Sequence, residues 1–266
     1  MGKAFVFTEL GEIEKMAGNI DSSKSCFNQA LFLHDQEKDN FGKADTQIRL
    51  GHLEIRMGNY EIGRLLYESA LLLTEEDEKG PIRAFLFEHM GELETHYGNH
   101  NQARKYLQIA ISLYEQTGGD LGKANTLLHL AALEIKEKNA KNAKSALQEA
   151  MRLYKKILDK VGEYNSHLYN AKLILRLEQD PEEAISLLQK VGMGFEAIEG
   201  REGVAEVGFF RAEAYHQMQQ PEKALEQYQE ALTLSEILNI APLNVLAKET
   251  AAIIGIAGIA KQAPIA

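Results

Sequence analysis

His89, Glu92 and His96 stand at three- and seven-residue offsets, so a helix would carry all three on one face, and His129 follows His89 by forty residues. Imidazoles and a carboxylate so arranged could ligate a divalent metal. Histidine is equally at home at the solvent edge of a helix, and no acid–base constellation stands beside these four, so the expectation is a chain without metal or cofactor. A second candidate is the row Glu14, Glu54, Glu94 and Glu134. Ten residues after each comes Lys24, Arg64, Arg104 or Lys144, and where the acid gives way to Leu175 or Tyr215 the base gives way to Ile185 or Leu225. Charge accompanies charge and apolar accompanies apolar, which reads as contact between the two helices of one hairpin rather than catalysis, worth ~0.2–1 kcal/mol per exposed pair. Gly192-Met193-Gly194-Phe195-Glu196-Ala197 fits the dinucleotide pattern but follows a helical run, Ala184 to Gln189, where a strand would be required. Its glycines are expected to weaken a helix end and to make a soft joint. Cys26 is the sole cysteine, which excludes an internal disulfide and points to a buried structural thiol in a reducing compartment. No nucleophile elbow, phosphate loop or cysteine pair of zinc-site spacing occurs, so no enzymatic activity is expected.

The elements that carry these residues recur every forty positions. Leu10-Gly11, Leu50-Gly51, Met90-Gly91 and Leu130-Ala131 open the pattern, and Gly18-Asn19, Gly58-Asn59, Gly98-Asn99 and Lys138-Asn139 punctuate it. After each turn a small residue, a large one and an alanine follow at fixed offsets: Ser23, Phe27, Ala30; Gly63, Tyr67, Ala70; Ala103, Leu107, Ala110; Ala143, Leu147, Ala150. Apolar spacings of three and four on both sides of the turn predict a helix, a turn and a second, antiparallel helix. Such a hairpin cannot bury its stripes alone, so the hairpins must stack into a one-dimensional array. Two further units lack the Leu-Gly pair but keep Ala184, Leu188, Val191 and Ala224, Tyr228, Ala231, each entered through Asp180-Pro181 or Gln220-Pro221, a helix start. The units read as residues 4–40, 44–80, 84–120, 124–160, 165–200 and 205–240, an array over 1–240.

Residues 241–266 read as a closing helix that is apolar nearly all round, from Ala251 through Ala260. Ten such residues cannot span a bilayer. Their cover is expected from the chain's own array, from a second copy, as a homodimer through residues 250–260 built around Gly255 and Gly258, or from the rest of a larger protein. A net charge of −10 and 29 scattered basic residues disfavour nucleic acid and anionic membranes. Nothing resembles a membrane span or cleavable targeting signal, so a cytoplasmic protein is expected.

Leu-Gly, a turn seven residues on, and then small-x3-large-x2-Ala resemble the tetratricopeptide repeat, in a forty-residue variety similar to that of kinesin light chains, polarity adaptors and bacterial signalling regulators rather than the usual unit of about 34. The family's bulky tryptophan is missing, since the chain contains none. The resemblance implies an all-α, right-handed α-α superhelical solenoid of six hairpins whose first helices line a groove for partner peptides. Carried over by count, the groove positions include Phe5 and Glu12, then Asp45 and His52, then Phe85, Glu88 and Glu92. Asn125 and Leu128 follow in the fourth unit, Tyr169 and Arg176 in the fifth, and Phe209 and Glu213 in the sixth. Acids outnumber Lys15 and Arg176 there and aromatics offer anchors, which suits a basic or amphipathic segment of another protein. The expected function is a non-catalytic interaction scaffold or adaptor. The alternative is a regulatory, peptide-sensing module, since Leu50-Gly51-His52-Leu53-Glu54 resembles arrays attached to bacterial transcription activators and pheromone receptors.

Overall fold

The computed structural model describes residues 2–75 and 80–256. Among them every regular element is helical: α1 (Lys3–Met16) and α2 (Ile20–Glu37), α3 (Asn40–Arg56) and α4 (Tyr60–Leu73), α5 (Pro81–His96) and α6 (His100–Thr117), and α7 (Asp120–Lys136) and α8 (Ala140–Ile157). Then come α9 (Lys160–Leu173), continued by a π-helical turn (Ile174–Glu178), and α10 (Pro181–Ala197), α11 (Arg201–Gln217) and α12 (Pro221–Leu238), and the closing α13 (Ala241–Ile253). The chain divides into two compact units, Met1–His129 and Leu130–Ala266. Each is an array of antiparallel helical hairpins.

Within a hairpin the first helix ends on a left-handed residue, at Gly18, Gly58, Gly98, Lys138, Gln179 and Gln219 in turn. The Asn after the first four such residues serves the turn directly. Its side-chain amide donates to the glutamate five residues before it: Asn19 to Glu14 at 2.8 Å, Asn59 to Glu54 at 2.7 Å, Asn99 to Glu94 at 2.6 Å and Asn139 to Glu134 at 2.8 Å. The left-handed residues fall forty apart except from Lys138 to Gln179, where the interval is forty-one. The π-helical turn at Ile174–Glu178 absorbs the extra residue inside the first helix of the fifth hairpin.

The ion pairs differ from the expectation. Lys24 reaches Glu54 at 2.9 Å and Arg64 reaches Glu94 at 3.2 Å, so each base meets the acid of the following hairpin rather than its own. Where Leu175 replaces that acid, Lys144 turns to Glu178 at 3.2 Å. Glu54 and Glu94 thus accept from the turn Asn of their own hairpin and pair with the base of the hairpin before it.

Packing explains the Leu-Gly signature. A Cβ on Gly11 would lie 2.6 Å from the ring of Phe27, one on Gly51 2.6 Å from the ring of Tyr67, and one on Gly91 2.6 Å from Leu107. The large residue of the second helix sits directly on the first helix's backbone, and Ala30, Ala70 and Ala110 are fully buried behind it. The soft joint expected at Gly192 and Gly194 does not form. α10 runs through both, they are buried, and a Cβ on Gly194 would lie 2.5 Å from the ring of Tyr164. Gly194 serves close packing inside the helix, whereas a Cβ on Gly192 would meet only Val207, at 3.4 Å.

The closing helix packs on its own array. Leu243, Ala247 and Ala251 join Phe209, Ala212, Tyr228 and Ala231 in one core cluster, with Ile254 and Ile256 against it. The helix stops at Ile253, before a left-handed Gly255, and does not continue as expected. Thr250 and Ala251, assigned in sequence to a surface between two copies, are buried within the chain. Residues 257–260 of that surface, Gly258 included, lie outside the described residues.

Candidate functional site

In unit Met1–His129 the first helices α1, α3 and α5 and the start of α7 bring their repeat-equivalent positions together by one rule. Glu12, His52 and Glu92 share one column of the repeat, and Glu9, Arg49, His89 and His129 share another. The first column of each hairpin meets the second column of the next. Thus Glu12 lies 3.8 Å from Arg49, the His52 ring stacks on His89 with centroids 4.7 Å apart, and Glu92 lies in the field of His129.

Arg49 gathers acids from three turns. Its Nε donates to Asp45 Oδ2 at 2.9 Å, Glu9 and Glu12 stand at 3.8 Å, and Lys15 pairs with Glu12 at 2.6 Å. The same guanidinium lies 6.0 Å from the Phe85 ring centre, and Phe85 in turn sets its edge on His89 at 4.5 Å. His89 is 6% exposed. Its Nδ1 lies 3.3 Å from Glu92 Oε2, while its Nε2 is buried with no hydrogen-bond partner among the described residues, an arrangement that costs about 1–3 kcal/mol if left unmet. Burial, then the neighbouring His89, holds His52 well below the usual imidazole range, so this ring is neutral at pH 7. Burial opposes ionisation of Glu92, but His129, the His89 contact and His52 outweigh it and keep its carboxyl far below the usual range. Glu88 is the opposite case. Burial pushes it up to about 7 against the pull of His129, while the Tyr114 hydroxyl donates to it at 2.9 Å and Thr126 at 3.3 Å.

The residues named from sequence therefore separate. Phe5 is 44% exposed on α1, and Asp45, His52, Phe85 and Glu92 line the cluster just described. Asn125 is half-buried on α7 and Leu128 is buried. Glu88 is enclosed by Tyr114, Thr126 and His129, and offers no free surface. His96, grouped in sequence with His89 and Glu92, lies instead on the Tyr60 ring at 4.0 Å. His52 takes its place. Arg49 was missed, although the forty-residue spacing already noted from His89 to His129 extends back through Arg49 to Glu9.

In unit Leu130–Ala266 the cluster is basic and aromatic. The Arg176 guanidinium donates from Nε to Glu213 Oε2 at 3.1 Å and from Nη2 to Oε1 at 2.6 Å, and Thr250 of α13 donates to Glu213 at 3.3 Å. Glu213 is 1% exposed, so it is a buried counter-ion rather than a groove acid. Lys172, which sequence reasoning did not single out, holds its ammonium over the rings of Tyr169 at 5.6 Å and Phe210 at 5.3 Å. Burial, then Arg176, pushes Lys172 down to about 8. Phe209 is fully buried against Tyr228, with ring centres 5.8 Å apart, and serves the core instead of a partner.

Hairpins built on a small residue under a large one, closed by a left-handed turn and stacked at a forty-residue period, have counterparts among known proteins. The tetratricopeptide repeat family matches residues 83–156, and a second model of the same repeat matches residues 205–237. This is a tetratricopeptide-repeat protein. Among solved structures, the array is similar to a Rap protein complexed with competence and sporulation factor, at 13% identity and a TM-score of 0.74, over 98% of this chain and 74% of that one. It is similar to Cut9 in the APC/C hetero-tetramer Cut9-Hcn1, at 18% identity and a TM-score of 0.67 over 93% of this chain. It also resembles a signal transduction ATPase with a tetratricopeptide repeat sensor from Pyrococcus horikoshii, at 17% identity and a TM-score of 0.64 over 98% of this chain. The chain spans only 43% and 39% of the length of these last two. At such identities the likeness shows the tetratricopeptide fold alone. No curated protein matches the chain. Among the described residues no helix of the array is long and apolar enough to cross a membrane.

Proposed function

We propose that this tetratricopeptide array is a non-catalytic, cytoplasmic interaction scaffold that holds a basic, amphipathic segment of another protein against the first helices of unit Met1–His129. The observation that carries the reading is the uneven charge of that layer. Glu9, Glu12, Asp45 and Glu92 stand against Lys15 and Arg49, with the exposed Phe5 ring at one edge as an apolar anchor. A cationic segment with one aromatic or aliphatic face complements such a surface in charge and in shape of contact. Glu88, protonated in part at neutral pH, and Glu213, neutralised by Arg176, add little to this field.

The test is fluorescence anisotropy with a labelled basic amphipathic helix peptide and its charge-reversed counterpart. The intact chain and a Phe5→Ala/Glu9→Lys variant of equal helicity are compared. The reading expects the basic peptide to be preferred, its binding to weaken with salt, and the variant to lose at least ~10-fold, or about 1.4 kcal/mol. Equal binding of the acidic peptide, or unchanged affinity in the variant, refutes it.

A second reading, a peptide-sensing regulatory module, draws on the Rap protein whose structure holds competence and sporulation factor and resembles nearly all of this chain. A sensor must change conformation on binding. Small-angle scattering with and without bound peptide separates the two readings, because a scaffold keeps its dimensions and a sensor does not.

A further inference from the structure

We propose that His52, His89 and Glu92 form a site for one divalent transition-metal ion of the zinc class, with the remaining coordination position open to water or to a donor from a bound molecule. The inference goes beyond the scaffold reading and does not depend on it. It also replaces the expectation, drawn from the set that included His96, that the chain carries no metal.

Three features of the geometry support it. The first is the donor set. Two imidazoles and one carboxylate form the three-ligand complement that zinc takes where one position stays open, and imidazole selects this class over calcium or magnesium. The second is spacing. Donors at about 2.1 Å from one ion in tetrahedral arrangement stand about 3.4 Å from each other, and His89 Nδ1 already stands 3.3 Å from Glu92 Oε2. One ligand atom from each of the three residues lies within 4.8 Å of the others. His52 is therefore within roughly 1–1.5 Å of closing the set, a side-chain adjustment. The third is placement: the His89 ring stands at the centre of the cluster, between His52 on one side and Phe85 on the other.

The surroundings suit the assignment. Phe85, whose edge packs on His89, helps to orient that ligand. His52 lies on α3, and His89 and Glu92 lie on α5, so a bound ion would tie two consecutive hairpins together.

The experiment uses the full chain, stripped with a chelator and measured without any peptide, so that its failure leaves the scaffold reading untouched. Zn2+ is titrated calorimetrically, and Co2+ is added in parallel for its visible ligand-field absorption. The proposal expects one ion per chain, a tetrahedral Co2+ spectrum without thiolate charge transfer, and a higher Tm with Zn2+. His52→Ala and Glu92→Gln should each weaken binding at least ~100-fold, while His96→Ala and Cys26→Ser should leave it unchanged. Glu92→Gln is isosteric and decides the matter if His52→Ala alters the helical spectrum. Absence of saturable binding, or an affinity in the Glu92→Gln and His52→Ala variants equal to that of the intact chain, overturns the site.

Discussion

Arg64 of the second hairpin meets Glu94 of the third at 3.2 Å, and Lys24 of the first meets Glu54 of the second at 2.9 Å. These pairs run along the array, so they act on the coupling between repeats, the quantity that sets cooperativity in a one-dimensional fold. Glu54 and Glu94 are nearly buried and also accept from Asn59 and Asn99, whereas Lys24 and Arg64 keep about a third of their side chains exposed. A double-mutant cycle of Lys24→Met with Glu54→Gln, read by urea unfolding, should give a coupling of ~0.5–1 kcal/mol. The Glu54–Arg64 cycle should give a value near zero. Coupling confined to Glu54 and Arg64 would restore the pairing within one hairpin.

Gly51 is expected to tolerate no side chain. A methyl group there would stand 2.6 Å from the Tyr67 ring, and Tyr67 is fully buried in a cluster with Ile48, Ile55 and Leu86. Gly→Ala inside a helix would ordinarily stabilise by about 0.5–1 kcal/mol. Here the displaced ring should reverse the sign and cost ~1–3 kcal/mol of unfolding free energy. Pairing Gly51→Ala with Tyr67→Leu should recover part of the loss, because the fourth hairpin carries Ala131 and Leu147 at the equivalent places. A stabilised Gly51→Ala protein would show that the helices can separate freely.

The period made the hairpins legible. Gly18-Asn19 and its equivalents marked the turns, and the small-large-alanine columns marked the core, because these features depend only on contacts that every repeat makes with itself. What lay hidden depends on how one repeat meets the next. The stack of His52 on His89 joins two different columns of the pattern, and no single column announces it. The same blindness sent the ion pairs to the wrong partner and passed over Arg49. Lys172 escaped notice for a related reason: Tyr169 lies one turn away on its own helix α9, but Phe210 comes from the following hairpin, and the spacing of Lys172 matches a solvent-facing lysine. The π-helical turn at Ile174–Glu178 was foreshadowed by the forty-one-residue interval, but the interval alone could not say which residues would absorb it. Gly192 and Gly194 looked like weak points because helix propensity is a local property, and Tyr164, which fills the space above Gly194, is thirty residues away.

Lys172 should give the array a distinctive alkaline pH dependence. Its ammonium titrates near 8 in the folded chain, against about 10.4 when unfolded. Between those values the folded state binds fewer protons than the unfolded state, so stability rises with pH across that window, and the cost of the buried charge is fully present below about 8. Lys172→Met should remove this slope and stabilise the protein at pH 7 by ~1–2 kcal/mol, less than the full shift because the rings of Tyr169 and Phe210 favour the cation. The difference in Tm between the two proteins, followed from pH 7 to 10, is the measurement. A constant difference would mean that Lys172 titrates alike in both states.

Arg176 is the counter-charge on which the closing helix depends. It holds both oxygens of Glu213, which is almost fully buried, and Glu213 also accepts from Thr250 of α13, so one carboxylate connects the π-turn end of the fifth hairpin, α11 and the last helix. Arg176→Ala would leave that carboxylate buried and unpaired, at a cost of ~3–5 kcal/mol. Arg176→Met combined with Glu213→Leu removes both charges and should cost much less, since the surrounding Phe210 and Phe209 are already apolar. Hydrogen exchange distinguishes a local from a global effect. In Arg176→Ala the amides of α13 should lose protection first, because Thr250 hangs on the disturbed carboxylate, while α1 to α6 keep theirs. Uniform loss of protection along the chain would instead make the Arg176–Glu213 pair a determinant of the whole array, and α13 no more dependent on it than any other helix.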